Sequence, residues 1–100
     1  MRELPPIAFL RAFSRAAETL SLKEAAGDLN LSPSAVSRQI QSLEAHLGVM
    51  LLRRLNPGLE VTEAGLRYLE TVNRVLGELR RAQDVLAGPR SSLGGRAGVV

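Results

Sequence analysis

The sequence predicts a mainly α-helical domain: three short helices, a two-stranded hairpin and a long fourth helix projecting beyond them. Three observations carry this prediction. Serines open two closely spaced apolar-periodic segments, Asn56-Pro57-Gly58 divides two short β-prone runs, and seam residues recur at three- and four-residue steps over residues 65–86. One hundred residues suit a single small domain, and a 45% apolar share argues for a packed core rather than disorder. That core must be aliphatic, because Phe9, Phe13 and Tyr68 are the only aromatic residues.

The first helix follows Pro5-Pro6, since proline is tolerated where the first N–H groups lack helical partners anyway. Phe9, Leu10, Phe13, Ala16, Ala17 and Leu20 share one stripe at helical spacing. Ser21, with Glu24 three residues on, has the capping-box arrangement and opens a short helix over 22–29. Gly27 weakens that helix by roughly 1 kcal/mol relative to alanine, and Asn30 suits a left-handed turn at its end. Ser32-Pro33 then starts a third helix, closed by Gly48. Two helices joined this tightly form a helix-turn-helix pattern.

Residues 50–54 and 59–61 flank the Asn56-Pro57-Gly58 turn and read as a small hairpin, or wing. An isolated hairpin is marginal, so this one must pack on the helices. Thr62 caps a long helix over 63–87, about 37 Å in length. Gly65, Leu69, Val72, Leu76, Leu79, Gln83 and Leu86 alternate four- and three-residue steps, a coiled-coil-like seam with a polar break at Gln83. One end of this seam is expected to pack on the domain and the rest to pair with a second subunit, with two chains approaching closely at Gly65. The glycine- and serine-rich residues 88–100 read as a flexible hinge. The domain boundaries are therefore 4–62, 63–87 and 88–100.

The third helix has two faces. Val36, Ile40, Leu43 and Leu47 form its core side, while Ser34, Arg38, Gln41 and Ala45 lie opposite, with Ser37 on a shoulder and Gln39 nearer the core boundary. Serine and glutamine donate and accept hydrogen bonds, and arginine binds a guanine edge bidentately or grips a phosphate. Any solvated helix face carries similar residues. The tight turn before it and the basic pair Arg53-Arg54 after it weight the reading toward duplex DNA, with the wing reaching phosphates or the minor groove. A net charge of +3, with every basic residue but Lys23 an arginine, permits this without demanding it.

Other chemistries find little support. No cysteine is present, so thiolate metal sites and disulfides are excluded, in keeping with a reducing cytoplasm. His46 is the sole histidine and suits a surface position near a helix C-terminus better than a metal site. Glu44 reads as a helix-surface residue pairing an arginine rather than a catalytic acid. The serines lack a histidine or lysine base at helical spacing, and Gly94-Gly95 lacks the strand and helix of a phosphate loop. An enzyme and a resident cofactor are thus not expected. No run approaches the roughly 20 apolar residues of a membrane span, and no signal peptide is recognisable in MRELPPIAFLRAF.

From Leu4 to about Leu86 the chain resembles the N-terminal region of LysR-type transcriptional regulators. The resemblance rests on LPP and FLRAF at the start, LSLKEAAGDLNLSPSAVSRQIQSLEAHLGVMLLRR in the middle and GLEVTEAGLRYL beyond. The order and spacing of SAVSRQI, SLE, LG, LLRR and VTEAG make it highly specific. The LPP opening is similar to the branch containing glycine-cleavage and β-lactamase regulators.

The resemblance implies a winged helix-turn-helix followed by a linker helix that pairs two subunits. It also implies a small-molecule-sensing effector domain that this chain lacks; GRAGVV looks like that domain's first strand, so the chain reads as a DNA-binding fragment. By the same resemblance Ser32, Pro33, Ser34, Ser37, Arg38 and Gln41 face the major groove. Ser21 and Lys23 open the preceding helix, where phosphate contacts are expected. Arg53 and Arg54 match wing positions, and Thr62 matches a cap that can also meet a phosphate. Leu69, Val72, Leu76, Leu79, Gln83 and Leu86 are the expected dimerisation residues.

Three positions depart from the family pattern. Pro33 stands where glutamine is frequent, Pro57 where the wing turn is commonly basic, and Glu24 where a basic residue is frequent. The expected function is sequence-specific binding of double-stranded DNA by a homodimer, with higher oligomers open to a full-length chain. The alternative is a coiled-coil protein-interaction module without DNA binding.

Overall fold

The computed structural model describes residues 3–88. The expected hinge from residue 89 onward lies outside the described residues. Helix α1 (Ile7–Thr19) leads into α2 (Leu22–Leu29) and α3 (Pro33–Leu47), followed by strands β1 (Leu52–Arg54) and β2 (Leu59–Val61) and the long helix α4 (Glu63–Ala87). Every predicted element is present; β1 begins two residues later than the β-prone run, because Met50 and Leu51 link it to α3.

Local chemistry sets the boundaries. The α1 helix ends at Leu20, whose φ of 56° lies in the left-handed region and whose N–H reaches Ala16 O. Leu20, predicted on the apolar stripe, is instead a half-exposed cap. The Thr19 hydroxyl holds this turn: it donates to Arg15 O at 2.8 Å and accepts Ser21 N–H at 3.3 Å. Ser21 Oγ accepts the N–H of Glu24 at 3.1 Å, so its cap forms. The reciprocal half of the predicted capping box does not form, since Thr19 has taken the Ser21 N–H. Asn30, with φ 58°, ends α2. Ser32 Oγ accepts Ala35 N–H at 3.1 Å to open α3, and Gly48, with φ 74°, closes it through a bond to Glu44 O. Thr62 Oγ1 accepts Gly65 N–H at 2.9 Å to open α4.

The core is small and depends on alanine for close helix approach. Ala12, Ala16, Ala25 and Ala26 let α1 and α2 come together, and Phe13, Val36, Leu43 and Leu51 fill the centre. The Phe13 and Tyr68 rings stack tilted, with centroids 6.0 Å apart. The wing is antiparallel, with Leu52 opposite Val61, Arg53 opposite Glu60 and Arg54 opposite Leu59. Its inward residues Leu52 and Leu59 are buried, which supplies the packing that a lone hairpin lacks.

Two polar ties join elements on the far side of the domain. Buried Ser14 on α1 donates to Asn73 Oδ1 on α4 at 2.7 Å. Arg15 spans α1 and α2, pairing with Glu18 at 2.6 Å and Asp28 at 2.7 Å. Its hydrogen bond to Asp28 raises the guanidinium pKa above its usual value.

The long helix corrects two expectations. Val72, predicted at a subunit interface, is 2% exposed inside its own protomer, and Leu69 and Leu76 pack partly on the same core. Gly65 makes its close approach within the protomer: a Cβ there would lie 2.2 Å from Leu51 O. Beyond Leu76 the seam leaves the domain. Leu79 is 45% and Leu86 85% exposed, and Gln83 is exposed too. Val75, Ala82 and Val85 are also exposed, so Val75, Leu79, Ala82 and Leu86 line a second four-three-four stripe, rotated slightly from the predicted seam.

Candidate nucleic-acid interface

The division of α3 into two faces follows its sequence. Val36, Ile40 and Leu43 are buried, while Ser34, Arg38 and Gln41 are exposed on the opposite side. Ser34 and Arg38 are one turn apart, and Gln41 follows at the next, so the three form a polar row along the helix. Arg38 makes no ion pair or side-chain hydrogen bond among the described residues. Its guanidinium is left with five donors facing solvent. The Ser32 and Ser34 hydroxyls lie 3.2 Å apart beside the exposed Pro33, at the helix end whose N–H groups favour anions.

Around this row stand the other predicted residues. Exposed Lys23 and half-buried Ser21 mark the start of α2. The Ser21 oxygen caps the helix, and its hydroxyl hydrogen remains available to an acceptor such as phosphate. The wing contributes Arg53 and Arg54 in different states. Arg53 pairs across the hairpin with Glu60 at 2.9 Å, in an exposed bridge that contributes little to stability. Arg54 Nη2 donates to Ser37 Oγ, which brings a wing residue and a helix residue of the predicted site into direct contact. Thr62 differs from the rest. Its hydroxyl donates to Met50 O at 2.7 Å while accepting from Gly65, so a phosphate would have to displace an internal bond.

Three features of the site escaped the sequence reading. Glu44, expected to pair an arginine at the surface, instead accepts the N–H groups of Leu51 and Leu52 on one carboxylate oxygen, at 2.8 and 3.1 Å. His46 contacts the carbonyl of Glu3, tying the N-terminal segment to α3. The bond from Arg54 to Ser37 links residues 17 apart in sequence. Only the spacing of SLE before LG hinted that Glu44 lies beside the helix end. Among the described residues no cluster of three potential metal ligands occurs, and no helix is long and apolar enough to cross a membrane.

The sequence profile of bacterial regulatory helix-turn-helix proteins, lysR family, matches residues 7–66, which spans α1 through the start of α4. The chain belongs to the LysR family. Among its LysR relatives, the glycine cleavage system transcriptional activator homolog of Haemophilus influenzae is 41% identical over 85 residues. That alignment covers 85% of this chain and 28% of the relative. The carbapenem-hydrolyzing β-lactamase transcriptional activator of Serratia marcescens is 42% identical over 84 residues, or 84% of this chain and 29% of that one. The chain thus spans less than a third of the length of these LysR regulators, which are transcriptional regulators and not enzymes.

Solved structures agree. A complex of the CbnR DNA-binding domain with DNA superposes with a TM-score of 0.75 at 38% identity, covering 85% of this chain and 99% of that one. A mutant OxyR of Corynebacterium glutamicum gives a TM-score of 0.82 at 30% identity, over 93% of this chain and 30% of that one. The mainly helical winged helix-turn-helix expected from the sequence is therefore the fold of this LysR chain.

Proposed function

We propose that this chain is the DNA-binding part of a LysR-type transcription regulator, acting as a homodimer. Each protomer lays α3 in a major groove, with Ser34, Ser37, Arg38 and Gln41 toward base edges. Ser21, Lys23, Ser32 and the wing arginines Arg53 and Arg54 grip the backbone or the minor groove. Pro33 shapes the approach of the helix end, and Thr62 contributes mainly as the cap of α4, since a phosphate would have to displace its bond to Met50 O. The observation that carries this reading is the polar, exposed row of α3 directly behind a fully buried apolar row. The DNA complex of the similar CbnR domain supports it.

Dimerisation is assigned to the distal half of α4, through Leu79, Gln83 and Leu86, with Leu76 at the margin where the helix leaves the core and the partly buried Leu69 adding only its exposed side. The wing and helices over 4–62 form the DNA-binding unit, 63–87 the linker helix, and 88–100 a hinge toward an effector domain in a longer protein. Small-molecule sensing and higher oligomers belong to that longer chain, working in the cytoplasm where the DNA is.

Duplexes selected from a random pool test the proposal. Bound sites should show dyad symmetry, with half-sites a helical turn or more apart. Binding should weaken steeply with salt. If Lys23, Arg53 and Arg54 of both protomers meet phosphates, the slope of log K against log salt is about −5. Absence of any electrophoretic mobility shift of DNA fragments at low salt would reject DNA binding in favour of the protein-interaction module.

A further inference from the structure

Between α3 and α4, residues 50–52 are clamped from both sides. Glu44 on α3 holds the N–H groups of Leu51 and Leu52. Thr62, the cap of α4, holds the opposite edge: its hydroxyl donates to Met50 O, and its N–H donates to Leu51 O at 3.0 Å. Gly65 lies so close behind Leu51 O that no side chain fits between. The backbone carbonyl of Glu44 meanwhile accepts from Gly48 and Val49 and so ends α3. One residue therefore terminates the recognition helix and anchors the strand that follows.

The far end of β1 has its own tie, from Arg54 to Ser37. From Ser37 to Glu44 the helix rises about 10 Å, and from Leu51 to Arg54 an extended chain covers about the same distance. The first strand of the wing is thus fastened to α3 at both ends, by groups two helical turns apart. The Ser37 tie is exposed and open to competition from a bound duplex. The Glu44 tie is half-buried and accepts two amides, so it is the one that persists.

We infer that Glu44 is a positioning residue for DNA recognition: by the reach of its carboxylate oxygen it fixes the wing against α3, so that helix and wing meet a duplex in one geometry. The inference rests on the DNA-binding reading above. Charge and reach make opposite demands and can be separated. Glu44→Gln keeps an acceptor oxygen at the same distance and loses the charge. Glu44→Asp keeps the charge and is one methylene too short to serve both amides.

The test compares the two variants with the wild type on a duplex selected by the wild type, at one salt concentration where circular dichroism shows all three folded. E44D should bind about 10-fold or more weakly, as expected for losing hydrogen bonds to a charged group, and E44Q should stay within about 3-fold of wild type. Amide exchange supplies a readout independent of DNA: Leu51 and Leu52 should lose protection in E44D but keep it in E44Q, while α1 and α2 stay protected in both. In E44D the further change Arg53→Ala should cost less than it does in the wild type, because the wing is already misplaced. E44D binding like wild type, E44Q falling as far as E44D, or unchanged protection of Leu51 and Leu52 in E44D would each overturn the inference. A wild type that binds no duplex would instead reject the DNA-binding reading, and the exchange experiment would still decide whether Glu44 holds the wing.

Discussion

Replacing Gly65 with alanine probes how tightly the wing and the long helix are joined. The new Cβ would stand 2.2 Å from Leu51 O, 2.8 Å from Val61 Cγ1 and 3.1 Å from Leu51 C, where real Cβ contacts essentially never fall below 3.0 Å. The carbonyl must retreat by at least roughly 0.8 Å, the difference between those limits. It has little freedom to do so, because Leu51 is buried, its N–H is held by Glu44 and its oxygen accepts from Thr62. Overpacking costs about 2–3 kcal/mol, and loss of the Thr62 bond adds about 1 kcal/mol. Alanine returns about 1 kcal/mol through its helix propensity. The net destabilisation is about 2–3 kcal/mol, which for a domain this size lowers Tm by about 10 °C or more. Thermal melts of both proteins at one concentration measure it, since dimerisation would otherwise shift Tm. A Gly65→Ala protein as stable as the wild type would refute the tight joint between Leu51, which leads into β1, and α4.

Gly27 makes the opposite case. Nothing lies within 4 Å of a Cβ there, and its φ is not left-handed, so Gly27→Ala should stabilise the chain by about 0.5–1 kcal/mol in the same melts. Leu79→Glu places a charge on the exposed stripe of α4. A leucine buried twice at a two-fold interface contributes about 3 kcal/mol or more, so dimer affinity should fall at least about 100-fold, and light scattering after size exclusion should find monomer at micromolar concentration. An undisturbed dimer would move the interface elsewhere. Burial pushes the Tyr68 phenol above its usual pKa of 10.0. The unfolded chain then ionises first, so this contribution to stability is complete below pH 10 and declines as pH rises through the folded value. Tyr68→Phe should therefore lose less stability than the wild type between neutral and strongly alkaline pH, and equal losses would show that this phenol does not couple to folding.

The elements were legible in the sequence because their signals are local. Ser21, Ser32 and Thr62 announce helix starts through backbone N–H groups two or three residues away, and Asn30 and Gly48 announce ends through their tolerance of positive φ. The outward row Ser34, Arg38 and Gln41 was equally readable, since helical periodicity alone separates it from Val36, Ile40 and Leu43. Long-range partners were not. A heptad pattern gives Val72 and Leu79 the same weight, yet the domain covers one and leaves the other to solvent. Spacing cannot say where a helix leaves its own core. Glu44 and Gly65 have surface-like and helix-seam signatures respectively, and their roles appear only when β1 is threaded between them.

Arg38 offers the most direct test of whether the outward face of α3 reads bases. The affinity of the wild type and of Arg38→Ala is measured on a selected duplex and on a scrambled duplex of the same length, at one salt concentration. The wild type should prefer the selected duplex by about 1,000-fold or more, and the variant should lose about 10- to 100-fold on that duplex while hardly changing on the scrambled one. Equal binding of both duplexes by the wild type would contradict base reading by this helix, and an equal loss on both in the variant would contradict it for Arg38.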